Sequence, residues 1–370
     1  MRAQIKAVSY YLPEQTVSNE QLAAEFRNWS AERISKKTGI DQRHIAADHQ
    51  CASDMAVKAA EDLFQSGACG PEDIDYLLLC TQSPDYFIPT TACLVQDRLG
   101  ISRESGGLDF NLGCSGYVYG LGLAQGLIET GQAENVLLIT SETYSKHIHP
   151  QDKSVRTLFG DAAAATLVSG KQVPGEPKHY GQGEPLIGPF VYGTDGSGAE
   201  NLIVPVGGMR TRRLPDDAQP VCDSQGNIRT LADLFMNGPE VLRFTLQVVP
   251  GAVRQVLEKA NLALDDVDLF VFHQANLYIL NHLRKKIHIP TAKFFLAMRD
   301  CGNTVSCTIP IALRRASDEG RLTAGQKVLI VGFGAGYSWA AAMIRWPEAA
   351  RTAAPGIAAA GSSSGKKKKS

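Results

Sequence analysis

The sequence carries almost no net charge: 37 lysines and arginines against 38 aspartates and glutamates leave −1. That excludes a chain-wide basic surface for nucleic acid, and no acidic tail is present. The eight cysteines (Cys51, Cys69, Cys80, Cys93, Cys114, Cys222, Cys301 and Cys307) contain no C-x-x-C pair. Zinc knuckles and thioredoxin-type motifs are therefore unsupported. The uncharged stretch Val328–Ile344 falls short of a bilayer span, and Gly332, Gly334, Gly336 and Ser338 interrupt it, so it reads as strand–loop–strand. No membrane span is expected. The first residues, Met1–Pro13, carry Arg2 and Lys6 and then alternate, without the apolar core of a signal peptide. A reduced, cytoplasmic protein is expected, its cysteines mostly small core residues.

What is present is a large core. Apolar residues make up 44% of 370 positions, enough for two or three domains or one composite. Short continuous apolar runs at Tyr76–Cys80, Val136–Thr140, Leu269–Phe272 and Val328–Val331 suit strands buried on both faces. Amphipathic stretches, such as Met55–Gln65, Gly116–Thr130 and Leu277–Lys286, lie between them, which argues for an α/β class. The chain also repeats itself. The segment Asp73–Cys80 (DIDYLLLC) reappears as Asp266–His273 (DVDLFVFH), a step of 193 from 73 to 266. Asn135–Ile139 reappears as Lys327–Val331, a step of 192 from 135 to 327. Two matches in one order at one spacing point to a duplicated α/β unit. The expected division is an N-terminal half over residues 1–170 and a Pro/Gly-rich linker or insertion over 171–223. A C-terminal half then spans 224–348, and a disordered tail, 349–370, ends in four lysines, Lys366–Lys369.

Four segments carry chemistry. In Asp109–Tyr117 (DFNLGCSGY) a strand-like run leads to Cys114 at the start of a helical stretch, where unpaired N–H groups and the helix dipole favour a thiolate. A buried structural cysteine is the alternative. His273 ends a hydrophobic strand, with Asn276 three residues on, and is placed for acid–base work or hydrogen-bond donation. It is equally open to a purely structural role. In Cys301–Pro310 (CGNTVSCTIP), Asn303 precedes a stretch that turns helical at Ile311. The repeat relates this segment to the one around Cys114, so the two halves bring Cys114, His273 and Asn303 towards one place. Gly332–Tyr337 (GFGAGY) is a glycine-rich loop after a strand; it would cradle a phosphate, offer an N–H to an oxyanion, or simply join strands. Other features carry less. Gly120-x-Gly122-x-x-x-Gly126 lies inside a helical stretch and reads as close helix packing. Ser115 lacks a hydrolase elbow. His147-x-His149 has no supporting acid or thiol, so no metal site is expected.

In combination these segments resemble the β-ketoacyl-acyl-carrier-protein synthase III family of the thiolase superfamily. The resemblance runs from about residue 3 to 346. It rests on Tyr11-Leu-Pro-Glu14, Lys37-Thr-Gly-Ile40 with Arg43-His-Ile45, Gly113-Cys-Ser-Gly116 and Phe159-Gly-Asp161. It continues through His273-Gln-Ala-Asn276, Gly302-Asn-Thr304, Gly320-Arg-Leu322 and Gly332-Phe-Gly-Ala-Gly336. It implies a thiolase fold, with duplicated halves in five α-β-α-β-α layers, and a homodimer. It implies that Cys114 takes an acyl group as a thioester. His273 and Asn303 then hold the malonyl thioester carbonyl while carbon dioxide leaves, and the N–H groups of Cys114 and Ala335 form the oxyanion hole. The reaction implied is a decarboxylative condensation giving a 3-ketoacyl thioester. The alternatives are a non-condensing acyltransferase of the same fold and a non-catalytic carrier-protein-binding partner. No cofactor is implied beyond coenzyme A or acyl-carrier-protein thioesters as substrates.

Further residues follow from the same resemblance. Asn276 matches a position near the inner end of the pantetheine tunnel, and Phe87 one beside the acyl pocket. Arg33, Lys37 and Lys153 match the adenine-binding surface, and Lys285 and Lys286 the carrier-docking surface. Arg33 stands where tryptophan is common and Tyr278 where a docking arginine is common, which favours a carrier-bound donor. Asn111-Leu-Gly113 departs from the small-residue run of primary-metabolism members and suggests a specialised one.

Overall fold

The protein was analysed as a computed structural model, which describes residues 1–26, 29–172 and 186–347. Its first sheet contains β1 (Arg2–Tyr11), β2 (Tyr76–Cys80), β3 (Gly106–Phe110), β4 (Asn135–Glu142) and β5 (Ala162–Lys171), in the order β1-β5-β4-β2-β3. The second contains β6 (Ile187–Thr194), β7 (Leu269–Phe272), β8 (Lys327–Gly334) and β9 (Ser338–Arg345), in the order β7-β8-β9-β6. The pairings match one for one. β2 runs parallel to β4 as β7 does to β8, while β4–β5–β1 and β8–β9–β6 are antiparallel. Even β3 has a trace of a counterpart, a parallel bridge from Phe270 to Phe294. The duplication expected from two strand pairs thus extends through four.

Helices fill the layers around these sheets. α2 (Ala52–Gln65) and α3 (Thr91–Leu99) cover the outer face of the first sheet, and α5 (Gly238–Ala260) and α6 (Leu277–Ile287) that of the second. Between the sheets lie α4 (Gly116–Glu129) and α7 (Thr308–Asp318), in a shared core with Leu138, Val271 and Ile330. The buried strands are apolar throughout because each side has a partner. Val136 and Leu138 of β4 face the central core, whereas Leu137 and Ile139 face the outer one. The central helix α4 approaches its sheet closely: a Cβ on Gly120 would lie 2.5 Å from Leu138. Gly122 likewise packs against Tyr192, whereas Gly126 has nothing within 4 Å of an added Cβ, so close packing accounts for two of the three glycines in that stretch.

The region 171–223 is more than a linker. It contains β6, which closes the second sheet as an edge strand against β9. Its proline and glycine content suggested a connection, but Pro189 falls at the register shift between the Phe190–Ala342 and Ile187–Ile344 pairs of this edge strand, where proline is tolerated. A long excursion between Leu202 and Met236 is stapled at its base by pairing of Leu202–Ile203 with Phe235–Met236. Further out, Arg229 clamps it to the buried Asp152 and to Asp223. The tail 349–370 lies outside the described residues.

Candidate active site

Cys114 sits in the turn between β3 and α4, two residues before the helix begins, and is 7% exposed. The adjacent Ser115 hydroxyl meets that of Ser338 at 2.7 Å, which ties this turn to the start of β9. The end of β8 presses directly on the cysteine. A Cβ on Gly332 would lie 2.6 Å from the Cys114 carbonyl oxygen, and one on Gly334 would lie 3.0 Å from its sulfur. The glycines at 332 and 334 therefore permit a strand to run against the nucleophile. β8 extends through Gly334, beyond the expected strand end at Val331, so the first half of the glycine-rich segment is strand rather than phosphate loop.

The resting thiol differs from the thiolate expected at a helix start. Burial pushes its pKa well above the usual thiol range, the Glu142 charge adds to this, and only its own backbone N–H opposes them. The desolvation outweighs the helix dipole. Glu142 is itself buried at the end of β4 and is pushed up to about 8 by burial. Its oxygens accept from Ser306 Oγ at 2.6 Å and from the Gln82 N–H at 3.0 Å.

His273 leaves the end of β7, with its N–H on the Val331 carbonyl at 2.8 Å. Nδ1 lies 2.8 Å from Thr308 Oγ1, and the ring meets Phe333 edge-on at 5.3 Å. Burial drives its pKa down to about 3, so the imidazole is neutral. Asn303 is oriented by its surroundings. Its Oδ1 accepts from the Val305 N–H at 3.0 Å, so its amide nitrogen points the other way, with one hydrogen on the Ala275 carbonyl at 3.3 Å. Its main chain pairs with the Phe159-Gly-Asp161 motif: Asn303 N–H donates to Leu158, and Gly160 N–H donates to Asn303. Asp161 anchors that motif by accepting from the N–H groups of Ala46 and Ser145, each at 2.8 Å.

Val305 joins the three. It is a buried β-branched residue at φ +55°, a conformation that costs about 1–3 kcal/mol and persists only where its surroundings enforce it. Its N–H holds Asn303, and its carbonyl receives the Thr308 hydroxyl at 2.9 Å. Its side chain shares a buried cluster with Cys114. Phe333 and Gly334 join them from the other side, one against His273 and one against Cys114. The structure thus brings Cys114, His273 and Asn303 around one set of neighbours. Ala335 follows on the turn between β8 and β9. Among the described residues, neither its N–H nor that of Cys114 donates to another residue. α7 begins at Thr308, three residues earlier than expected, and its start matches that of α4 at the repeat spacing, 116 to 308.

The outer residues divide. Trp29, ahead of α1 (Ala31–Thr38), is flanked by Arg33 at 5.3 Å and Lys37 at 5.2 Å. Trp29 also lines a pocket of about 470 Å³ with Phe26, Lys153 and Gly226. The three basic residues expected on one surface therefore surround an aromatic that the motif comparison missed. Its signal was present: positions 29, 33 and 37 follow a spacing of four. Asn276 caps α6, accepting from the Ile279 N–H at 2.9 Å, which commits its oxygen but not its amide nitrogen. Phe87 is 75% exposed on the loop after β2 and does not belong to the cluster around Cys114. Lys285 and Lys286 are exposed on the last turn of α6, and Lys286 donates to the Leu246 carbonyl at 2.9 Å. His147 packs edge-on against Tyr144, and His149 accepts from the Gln151 N–H.

Two family models match the chain. One, described as 3-oxoacyl-(acyl-carrier-protein) synthase III, covers residues 108–180, and its C-terminal counterpart covers 257–346. The chain is 37% identical over 344 residues to a beta-ketoacyl-(acyl-carrier-protein) synthase III from Caldanaerobacter subterraneus subsp. tengcongensis, covering 93% of this chain and 98% of that protein. It is 38% identical to the protein of that name from Symbiobacterium thermophilum, covering 92% and 97%. A crystal structure of a 3-oxoacyl-(acyl-carrier-protein) synthase III superposes with a TM-score of 0.89 at 50% identity, covering 94% of this chain and all of that one.

Proposed function

We propose that this chain, which belongs to the 3-oxoacyl-(acyl-carrier-protein) synthase III family, condenses an acyl thioester primer with a malonyl thioester. In this reading Cys114 attacks the primer carbonyl, and its proton leaves with the departing thiol of coenzyme A or the carrier protein. The N–H groups of Cys114 and Ala335 receive the tetrahedral oxyanion. The malonyl thioester then binds with its carbonyl on the Asn303 amide and on His273 Nε2. For Nε2 to donate, the Thr308 hydroxyl gives its hydrogen to Nδ1. This requires the hydroxyl to turn its hydrogen from the Val305 carbonyl, where it rests at 2.9 Å, to Nδ1, while the Thr308 N–H continues to serve that carbonyl. Carbon dioxide leaves, the enolate carbon attacks the acyl-Cys114 carbonyl, and the 3-ketoacyl thioester departs as the thiolate is regenerated and reprotonated. The observation that carries the reading is the shared frame of Val305 and Phe333–Gly334 around the three side chains.

Intact-protein mass after incubation with acyl-coenzyme A and acyl-carrier donors tests it. The protein gains one acyl mass, Cys114→Ala gains none, and Asn303→Ala acylates but releases carbon dioxide from malonyl carrier protein at least tenfold more slowly. Acylation of Cys114→Ala refutes the nucleophile. Acyl transfer without carbon dioxide release refutes condensation in favour of a plain acyltransferase.

Three further assignments belong to this proposal. A second copy of the chain covers the exposed Tyr86, Phe87 and Ile88 and the edge strand β3, where Leu108 is also exposed. In such a dimer Phe87 lines the partner's acyl pocket rather than its own. An acidic carrier protein docks on Lys285 and Lys286. The cytoplasm suits eight free thiols.

A further inference from the structure

Cys114 shares a buried cluster with Tyr144, Val155, Phe159, Leu234 and Val305, so an acyl group carried on its sulfur meets these side chains. Four of these are apolar. The fifth brings a phenol into a space that phenylalanine would complete at nearly equal volume. Tyr144 is 5% exposed, its ring 4.9 Å from that of Phe159. A buried phenol ordinarily finds a hydrogen-bond partner; this one makes no hydrogen bond to a described residue, and its oxygen is not sealed from solvent. Burial keeps it in the O–H form, able both to donate and to accept.

A second polar atom stands unmatched nearby. Gln82 Oε1 is buried without a donor, and a Cβ on Gly113 would lie 2.5 Å from it, so it rests against the residue just before the nucleophile. Glu142 does not answer either group, since Ser306, Gln82 N–H and Ser83 occupy its oxygens. Gln82 Oε1 has lost its water without replacement and the Tyr144 O–H is committed to no described residue, which gives the surroundings of the nucleophile a polar character that an alkyl-specific site avoids.

We infer that Tyr144 and Gln82 make this site selective for short acyl primers that carry a hydrogen-bonding oxygen, over plain alkyl primers of the same length. A carbonyl or hydroxyl oxygen on the acyl chain accepts from the Tyr144 O–H, and a hydroxyl also donates to Gln82 Oε1. The inference rests on the proposed acylation of Cys114 and adds the class of primer.

The test uses the full chain and pantetheine thioesters, the portion that coenzyme A and carrier-bound donors share. Rates of Cys114 acylation are measured by intact mass for butyryl, pentanoyl, 3-oxobutyryl and both enantiomers of 3-hydroxybutyryl pantetheine. The best oxygenated donor is expected to exceed butyryl by about tenfold in kcat/KM, the effect of one matched buried hydrogen bond. Tyr144→Phe brings that ratio close to one, and Gln82→Met reduces the advantage of the hydroxy donor more than that of the oxo donor. Thermal melts of both variants establish that they fold. Butyryl acylating as fast as every oxygenated donor overturns the inference, as does an unchanged ratio in Tyr144→Phe; water filling the site would produce both results. Acylation without preference defeats this inference alone, whereas no acylation by any donor defeats the condensing reading as well.

Discussion

Alanine at position 334 puts the packing of β8 against the nucleophile to a direct test. Its Cβ would stand 2.9 Å from Cys114 Cβ, 3.0 Å from Sγ and 3.7 Å from the backbone nitrogen. Carbon and sulfur rest comfortably only beyond about 3.5 Å, so the strand or the cysteine must give way by roughly 0.5 Å or more. Neither moves freely. At Gly334 the strand is held by its pairing with Ser338 of β9, and the cysteine turn is held by Ser115 on the same Ser338. Overpacking of this kind costs about 1–3 kcal/mol of stability. A displaced nucleophile loses more in rate, about 100-fold for a shift near 1 Å. Gly334→Ala is therefore expected to melt several degrees lower and to acylate Cys114 about 10- to 100-fold more slowly, the larger figure being the cost of a displacement of about 1 Å. Gly126→Ala is the control. It lies on α4, the same helix that follows the nucleophile, with nothing within 4 Å of the added Cβ, and it gains about 0.8–1.0 kcal/mol from helix propensity. Its acylation rate should match that of the native protein. Native-rate acylation by folded Gly334→Ala would show that the strand does not set the position of the sulfur.

Three other expectations follow from named groups. Glu142 is raised to about 8 from the usual 4.5, so between those values the folded protein retains a proton that the unfolded chain has released. Native stability therefore falls as pH rises through that window, and the melting temperature of Glu142→Gln should gain on the native protein between pH 5 and pH 8.5; parallel curves would contradict the burial. Trp29→Ala removes the aromatic between Arg33 and Lys37, and kcat/KM for acyl-coenzyme A should fall about tenfold while nucleotide-free acyl pantetheine changes little. An equal loss for both donors would place the nucleotide elsewhere. Phe87→Glu with Ile88→Glu puts two charges on an exposed apolar loop, and sedimentation should then report a monomer where the native chain sediments as a dimer; unchanged sedimentation would remove that loop from the interface.

The parts of this molecule that were readable in advance share a physical cause. Strands buried on both faces must be continuously apolar, so β2, β4, β7 and β8 announced themselves, and their even spacing exposed the duplication. The other two strand pairs kept the topology but not the spacing: β5 and β9 begin at 162 and 338, β1 and β6 at 2 and 187. The segment 143–161 ahead of β5 lengthens the first half and the excursion between Leu202 and Met236 lengthens the second, and edge strands such as β6 accept proline and glycine, so composition marked a linker where a sheet ends. Glycine at 332 and 334 was visible, but not the face it opened, because that depends on a turn more than 200 residues away.

The protonation of Cys114 shows the same limit in its chemistry. A cysteine at a helix start is legible from a dozen residues, and on that ground alone it is a thiolate. Its actual state is decided by desolvation from segments scattered along the chain, among them Tyr144, Phe159, Leu234 and Val305, with Glu142 adding its charge. A neutral buried thiol beside a neutral imidazole has no internal ion pair to activate it. Its proton must therefore leave in concert with attack on the thioester, towards the departing thiolate or towards His273. The two routes differ measurably. Transfer to the leaving group makes the acylation rate follow the basicity of that thiol, while transfer to His273 makes it fall on His273→Asn at every leaving group alike. A series of acyl thioesters with graded thiol pKa values, run on the native protein and on that variant, separates them. Because burial drives His273 down to about 3, the first route is the one expected, and a rate that ignores leaving-group basicity would overturn it.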